Sequence, residues 1–163
     1  MPIVLYRIDD RLVHGQVVVG WGPPLNLARI VLVDDVVAAS DWEQELYRMG
    51  VPPEMEIAFL PVRAALEQLT SLQADPRISM LLTADIATMQ SLAEQSRAIP
   101  EVNLGGVHHR ADRVQKLRYV FLSPAEEEAL RSLVASGIAV TAQDVPGASP
   151  LPLAAVLAGS GSA

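Results

Sequence analysis

The segment YRIDDRLVHGQV, at residues 6–17, brings two carboxylates, two guanidinium groups and one imidazole close together in the chain. Asp9 and Asp10 lie between Arg7 and Arg11, and His14 follows three residues later. A neutral imidazole is a good nucleophile, and a phosphoryl group on its nitrogen passes readily to another acceptor. An arginine can hold the oxygens of that group with paired hydrogen bonds. These residue types favour phosphoryl transfer, although a surface histidine in a solvated turn is the alternative that they leave open.

His14 is followed by Gly15 at the predicted start of a helix. The first N–H groups of a helix have no helical acceptor, so they favour a bound phosphate. Either aspartate is suited to orient the imidazole or to hold Arg11, and the sequence does not decide between them. The predicted phosphate loop consists of Asp9, Asp10, Leu12, Val13, Gly15 and Gln16.

Short aliphatic runs alternate with longer segments of helical periodicity along the chain. This alternation predicts a doubly wound α/β fold with a mainly parallel sheet of about seven strands. The predicted strands are residues 3–6, 29–33, 55–59, 78–82, 102–104, 119–122 and 138–141, and the predicted helices are residues 40–49, 62–72, 86–97 and 124–136. Ser40, Asp85 and Ser123 are typical N-caps, and Gly50 and Gly137 stand where helices end.

Other polar loops follow predicted strands and therefore reach the same edge of the sheet, where ligands of such folds bind. Asp34 and Asp35 are candidates to line this cleft or to cap the helix that follows. Gly105 and Gly106 allow the close approach of a ligand or a neighbouring loop, or else form a tight turn. The predicted lining residues are Asp34, Asp35, Asn103, Gly105, Gly106 and Gln143.

The adjacent histidines His108 and His109 do not predict a metal site. Neighbouring strand positions face opposite ways, and no pattern nearby supplies further ligands. We expect neither a metal nor another cofactor. Arg110 and Arg113 predict a solvated surface or a basic rim for an acidic partner.

Composition excludes several classes of protein. The chain of 163 residues is 50% hydrophobic and only 4% aromatic, which predicts one domain with an aliphatic core. Trp21 and Trp42 are expected to be packing residues and not platforms for a sugar. A net charge of −7 argues against nucleic acid, which is bound mainly through clustered Lys and Arg. The absence of cysteine excludes disulfides and thiolate catalysis. No apolar stretch approaches the ~18 residues of a membrane span, and no secretory leader is recognised, so we expect a cytoplasmic protein without membrane insertion.

Several segments together resemble one known family. They are YRIDDRLVHGQV, VVGW, LARIVLVDD, VNLGGVHHR, YVFLS and IAVTAQDVP. In content, order and spacing they resemble the IIB components of the mannose/fructose/sorbose family of the bacterial phosphoenolpyruvate-dependent sugar phosphotransferase system. The resemblance implies a single domain over residues 1–157, with a mainly parallel sheet and helices on both faces. Residues 158–163 are expected to form a flexible tail.

In that family the histidine of the DDRLxHGQ motif takes a phosphoryl group from a phosphohistidine of the IIA component. It passes the group to a sugar that is moved by the membrane components IIC and IID. The resemblance therefore implies that His14 is the phosphorylated residue, that Arg11 lies beside it, and that the chain is a phosphotransferase with a phosphohistidine intermediate. A regulatory phosphocarrier that phosphorylates no sugar is the alternative, and homo-oligomer formation is left open.

Overall fold

A seven-stranded sheet forms the centre of the structure, a computed structural model that describes residues 2–159 except for the side chain of Gln16. The strands in chain order are β1 Ile3–Ile8, β2 Arg29–Val33, β3 Glu56–Leu60, β4 Ser79–Thr83, β5 Glu101–Leu104, β6 Val114–Leu117, β7 Val120–Leu122, β8 Ala139–Ala142 and β9 Leu151–Pro152. The sheet has the order β3-β2-β4-β1-β5-β8-β9. All its pairings are parallel except that of β9 with β8. The predicted mainly parallel α/β sheet is confirmed.

Helices cover both faces of this sheet. They are a π helix Gln16–Trp21, α1 Gly22–Leu25, α2 Asp35–Ala38, α3 Asp41–Met49, α4 Val62–Ala74, α5 Ile86–Ser96, α6 Pro124–Ala135 and α7 Leu153–Leu157. Neighbouring residues of a strand face opposite sides of a sheet. Val31 of β2 accordingly belongs to one apolar cluster with Leu69 of α4 and Met89 of α5. Ile30 belongs to a second cluster with Val18 of the π helix. The two clusters form the core on the two faces.

Capping hydrogen bonds explain where three of the longer helices begin. The side chains of Ser40, Asp85 and Ser123 each accept a hydrogen bond from a backbone N–H in the first turn of α3, α5 and α6. Ser123 and Glu126 also form a reciprocal capping box. Gly137, just after α6, has φ +94°, a conformation that glycine adopts without steric strain. These four predicted helix boundaries are confirmed.

The least regular parts of the fold differ from the prediction. Residues 119–122 contain a strand, as predicted, but β7 pairs antiparallel with β6 in a separate two-stranded sheet. The seventh strand of the main sheet is β9, which the sequence did not predict. It has two residues and lies in a proline-rich segment, so it is too short to show a periodic pattern.

The end of the chain is described only in part. The predicted tail comprises residues 158–163, of which residues 160–163 lie outside the described residues. Within residues 2–159, no helix is long and apolar enough to cross a membrane.

The strand order changes direction between β1 and β5, and at such a point an open α/β sheet has a crevice at its carboxyl edge. β1 and β5 are neighbours, but β1 leads to β2 on one side and β5 leads to β8 on the other. Loops that leave neighbouring strands in opposite directions leave a space between them, and open α/β sheets bind ligands there. The predicted phosphate loop begins at this crevice.

Candidate functional site

The loop after β1 is tied to the end of β4 and to the loop after β5. The N–H of Asp9 donates to the carbonyl oxygen of Thr83 at 3.0 Å. The N–H of Asp10 donates to the carbonyl oxygen of Gly106 at 2.9 Å. Leu12 then adopts φ +57°, and its N–H returns to the carbonyl oxygen of Asp9 at 3.0 Å. A left-handed conformation is uncommon for a bulky residue, so this turn is held by its surroundings.

Apolar side chains anchor the same loop to the core. Leu12 and Val13 are buried in the cluster that includes the π helix. Their side chains therefore anchor the loop and do not line it. Gly15 is exposed and directly precedes the π helix, which starts at Gln16. The predicted helix start after His14 is thus present, while the side chain of Gln16 lies outside the described part of the structure.

The carboxylate of Asp9 is the centre of the site. It is fully buried, with 0% exposure. Its Oδ1 accepts hydrogen bonds from Nε and from the backbone N–H of Arg11, at 3.1 and 3.2 Å. Its Oδ2 accepts hydrogen bonds from Nη2 of Arg11 at 3.2 Å and from Nη2 of Arg7 at 3.4 Å. Nε2 of His14 lies 3.5 Å from the same Oδ2. One carboxylate therefore contacts both arginines and the imidazole.

Burial and charge have opposite effects on the ionisable groups of this site. Burial raises the pKa of Asp9, but the hydrogen bond and the charge of Arg11, together with the charge of Arg7, outweigh it and hold that pKa below its ordinary value. Burial is also the largest influence on His14, whose pKa is lowered although Asp9 opposes the change. The His14 side chain is 21% exposed. At neutral pH the imidazole is therefore uncharged and within reach of a partner.

Arg11 is oriented by its two contacts with the carboxylate. Burial is the largest single influence and lowers its pKa, but the hydrogen bond to Asp9 and the charges of Asp9, Asp144 and Asp10 together outweigh it, so the pKa is raised and the guanidinium keeps its charge. Its side chain is 34% exposed. Arg11 and His14 therefore meet at the same buried carboxylate and both reach the surface.

Arg7, which sequence reasoning left out of the site, lies beneath it. Its Nη1 donates to Oδ1 of Asn103 and to the carbonyl oxygen of Gln143, the latter at 2.9 Å. Its Nη2 donates to the carbonyl oxygen of Asp144 at 3.1 Å. Its Cζ lies 4.7 Å from the ring centroid of Trp21, a cation–π contact. Asn103 and Gln143, two of the predicted lining residues, are buried here as partners of this guanidinium.

Two glycines let the loop after β5 pass close to both arginines. A Cβ at Gly105 would lie 2.6 Å from Cζ of Arg7. A Cβ at Gly106 would lie 3.2 Å from Nη2 of Arg11. Of the two open alternatives for these glycines, the contacts show the close approach of a neighbouring loop.

Asp10 joins the loop after β1 to the loop after β5. Its Oδ2 accepts a hydrogen bond from the backbone N–H of His108 at 2.7 Å. Its Oδ1 lies 2.5 Å from Nδ1 of the same histidine. The contacts therefore give the two aspartates different positions, with Asp9 beneath the imidazole and Asp10 between the loops.

Asp34 and Asp35 make capping contacts. Oδ1 of Asp34 accepts the N–H of Val37 at 2.9 Å at the start of α2. Oδ1 of Asp35 accepts the N–H of Val62 at 2.8 Å at the start of α4. β2, which they follow, is separated from β1 by β4. These contacts favour the capping alternative over the lining of the cleft.

Three other side chains correct or complete the sequence expectations. Arg113 is not part of a basic rim, because its side chain is only 6% exposed and its Nε and Nη2 bind Glu126 at 2.8 and 2.7 Å. Trp42 is 70% exposed, so the expectation that it is a packing residue is wrong. Trp21 is buried, as expected.

The arrangement is chemically suited to accept a phosphoryl group on nitrogen. A neutral imidazole provides the nucleophile, and an oriented guanidinium lies next to it. Arg7, Arg11 and Asp9 together carry a formal surplus of one positive charge. Such a surplus, in a partly buried site, attracts an anion.

Comparisons with known proteins identify the family. Residues 3–162 match the model of the PTS system sorbose subfamily IIB component. The N-acetylgalactosamine-specific phosphotransferase enzyme IIB component 1 of Escherichia coli (strain K12) is 33% identical over 148 residues, which cover 89% of this chain and 92% of that protein. The PTS system mannose-specific EIIAB component of the same organism is 32% identical over 145 residues, 89% of this chain and 45% of that protein.

Solved structures agree with this result. The crystal structure of the IIBSor domain of the sorbose permease from Klebsiella pneumoniae superposes with a TM-score of 0.87 at 27% identity, covering 96% of each chain. Fold, sequence and family model point the same way, and the chain belongs to the sorbose subfamily of IIB components of the phosphotransferase system.

Proposed function

We propose that this chain accepts a phosphoryl group on His14 from a phosphohistidine of a IIA component and passes it to a sugar during uptake. The observation that carries the proposal is the contact of His14, Arg7 and Arg11 with the single buried carboxylate of Asp9. This contact places the uncharged imidazole, the nucleophile, next to guanidinium groups that are already held in position. Membership of the IIB family supports the same function.

In the first step a ring nitrogen of His14 attacks the phosphorus of the donor. The N–P bond of the donor breaks, and its electron pair stays on the donor nitrogen. Nε2 of His14 faces Asp9 at 3.5 Å, and a carboxylate at this position favours a proton on Nε2. The lone pair is then on Nδ1, which we assign as the attacking atom.

Arg11 stabilises the group in transfer. The transferring phosphoryl group spreads its negative charge over three oxygens, so its barrier depends mainly on positioning and on nearby positive charge. Asp9 fixes the guanidinium of Arg11 through both Nε and Nη2 before the donor arrives. Little reorganisation is then needed when the charge develops.

In the second step the oxygen of a sugar hydroxyl attacks the phosphorus. The N–P bond at His14 breaks, its electron pair returns to the imidazole, and the hydroxyl proton is released. The sugar would be presented by the membrane components IIC and IID, which are the general partners of IIB components. We propose no metal and no cofactor for either step.

Labelled phosphoenolpyruvate, passed through the general phosphotransferase components and a IIA partner, tests this proposal. We expect one acid-labile, base-stable phosphoryl group per chain, and its loss in His14→Ala. His109→Ala is the matched control, because that ring packs against Phe121 at 5.7 Å and should keep the label. Label retained in His14→Ala contradicts the assignment. Label that reaches His14 but passes to no sugar in the presence of the membrane components favours the regulatory alternative.

A further inference from the structure

Arg7 is a buried cation that the transfer steps above do not use. Its side chain is 1% exposed, so it cannot touch a docked donor protein. Three of its hydrogen bonds go to neutral oxygens, on the side chain of Asn103 and the backbone of Gln143 and Asp144. Its Nε has no hydrogen-bond partner among the described residues. Burying a charge in this way is costly unless something compensates it.

The compensation visible in the structure is incomplete. Within residues 2–159, the carboxylate that Arg7 contacts is that of Asp9, at 3.4 Å, and Asp9 makes shorter contacts with Arg11. The carboxylate of Asp144 acts on Arg7 only at longer range, and it pairs with Arg118 at 3.1 Å. The charge of Arg7 is therefore the origin of the positive surplus of the site.

We propose that Arg7 is a positioning residue for phosphoryl acceptance at His14: it holds Asp9 in the orientation that Arg11 and His14 require, and its charge balances the phosphoryl group. This inference rests on the proposed function of His14. A buried arginine whose charge is incompletely compensated is unfavourable by itself. The inference explains its presence, because the phosphoryl group on His14 supplies the balancing negative charge.

The surroundings of Arg7 keep its guanidinium in one place. The ring of Trp21 covers it at 4.7 Å, and the backbone of Gly105 passes so close that a Cβ there would collide with it. In a partly buried site a charge acts over several ångströms, because little water lies between it and the anion. Burial is the main reason that the pKa of His14 is lowered, and the charge of Arg7 acts in the same direction. Removing that charge should therefore raise the pKa of His14, which is a property of the unphosphorylated protein.

The test uses phosphoramidate as a small phosphoryl donor, alongside phosphorylated IIA. In this reaction the P–N bond of phosphoramidate breaks, ammonia leaves, and the phosphoryl group forms a bond to the imidazole. The first variants are Arg7→Met, which removes the charge, and Arg7→Lys, which keeps the charge without the planar fork. A third variant, Asn103→Asp, places a carboxylate against Arg7 and cancels the surplus without removing the arginine.

Arg29→Met is the matched control. Arg29 is another buried arginine of the sheet, with 4% exposure, and it donates to Oγ of Ser79 at 2.8 Å and to the carbonyl oxygen of Leu72 at 3.3 Å. It lies at the first residue of β2, at the opposite edge of the sheet. Its loss should affect folding stability without affecting the chemistry of His14.

We expect Arg7→Met to lower the maximal rate of phosphorylation by about tenfold or more, with a nearly unchanged half-saturating concentration of phosphorylated IIA. Arg7→Lys should recover part of the rate, Asn103→Asp should lose rate while staying folded, and Arg29→Met should match the wild-type rate. The pKa of His14, followed by NMR, should rise in Arg7→Met and not in Arg29→Met.

The two proposals fail in distinguishable ways. If wild-type protein takes no phosphoryl group from either donor, the proposed function of His14 fails. If wild type is phosphorylated but Arg7→Met behaves as Arg29→Met does in both rate and His14 pKa, the inference about Arg7 fails. Should Arg7→Met not fold, a wild-type rate in both Arg7→Lys and Asn103→Asp would overturn the inference.

Discussion

Each edge of the sheet carries a cluster with two arginines, but the two clusters differ in the number of carboxylates that pair with them. The carboxyl-edge cluster consists of Arg7, Asp9, Arg11 and His14, and the amino-edge cluster consists of Arg29, Glu56, Asp75 and Arg77. The carboxyl-edge cluster sets two guanidinium groups against one fully buried carboxylate. The amino-edge cluster sets two guanidinium groups against two carboxylates, and its Arg77 and Glu56 are 40% and 62% exposed.

This difference separates a structural use of ion pairs from a chemical one. In the amino-edge cluster each positive charge has a negative partner among the described residues, so the cluster has no surplus charge to offer a ligand. Its ion pairs connect the first residues of β2 and β3. The carboxyl-edge cluster lacks one negative charge and contains an imidazole. We interpret this surplus of positive charge as the feature that a negatively charged phosphoryl group balances.

The largest difference between the clusters should appear when the shared carboxylate is removed. Asp9→Asn leaves two arginines without their buried anion, so we expect a loss of about 3–5 kcal/mol in the free energy of unfolding and the loss of phosphoryl acceptance. Urea unfolding and a phosphorylation assay measure the two effects. Asp75→Asn, in the more exposed cluster, should cost much less stability and leave phosphorylation intact. Equal losses in the two variants would remove the distinction between the clusters.

A second difference concerns the arginine that reaches the surface in each cluster. Arg11→Ala should slow phosphoryl transfer to His14 by an amount equivalent to about 2–4 kcal/mol, as expected for one lost donor to the transferring group. Arg77→Ala should leave the rate unchanged, because Arg77 pairs with Glu56 and Asp75 at the amino edge. Single-turnover transfer from phosphorylated IIA measures both, and an unimpaired Arg11→Ala would show that Arg11 has only a structural role.

A third prediction tests how tightly the carboxyl-edge cluster is packed. Gly105→Ala places a methyl group 2.6 Å from Cζ of Arg7 and should lower the free energy of unfolding by about 1–3 kcal/mol, with slower phosphorylation because Arg7 is displaced. Gly147→Ala is the control, since a Cβ there meets no atom of the described residues within 4 Å. Urea unfolding of both variants is the measurement, and a Gly105→Ala protein as stable as the control would contradict the packing described above.

The smallest expected difference between the two clusters is in how their contributions to folding stability depend on pH. Folding lowers the pKa of His14 below its ordinary 6.5, so the folded imidazole stays neutral where the unfolded one already binds a proton. His14 therefore lowers the folding stability as the pH falls below 6.5, and phosphoryl acceptance should decline only below that pH. The pKa of Asp75 is strongly lowered by its hydrogen bonds to Arg77, so its contribution to stability persists until strongly acidic pH. NMR titration of His14 checks this, and a midpoint above 6.5 would be inconsistent with it.

The sequence predicted the regular parts of the fold because their causes are local. Helices such as α6 begin at a capping residue and follow an apolar period, and both features lie within a dozen neighbouring residues. β9 and α7 are short and lie in a segment rich in proline and alanine. They form because β9 pairs with β8 and α7 packs against the core. Contacts of this kind leave no pattern in the neighbouring sequence.

The same distinction between local and long-range causes applies to the candidate site. The sequence grouped His14, Arg11 and Asp9 in one candidate site because one loop carries them all, and the structure brings the three side chains together. Arg7 was missed because its meaning depends on Asn103 and Gln143, which are 96 and 136 residues away in the chain. A signal was present, since Arg7 is the one charged residue of β1 and lies between two buried residues, so it must find partners in the interior.

The most direct test of the central claim is phosphorus NMR of the nitrogen-labelled protein after incubation with phosphorylated IIA at neutral pH. The chain has three histidines, so the phosphorylated residue and ring nitrogen can be assigned from their couplings. We predict a single phosphohistidine signal, coupled to Nδ1 of His14 and absent in His14→Ala. Phosphorus bound to His108 or His109, or to no histidine, would contradict the account.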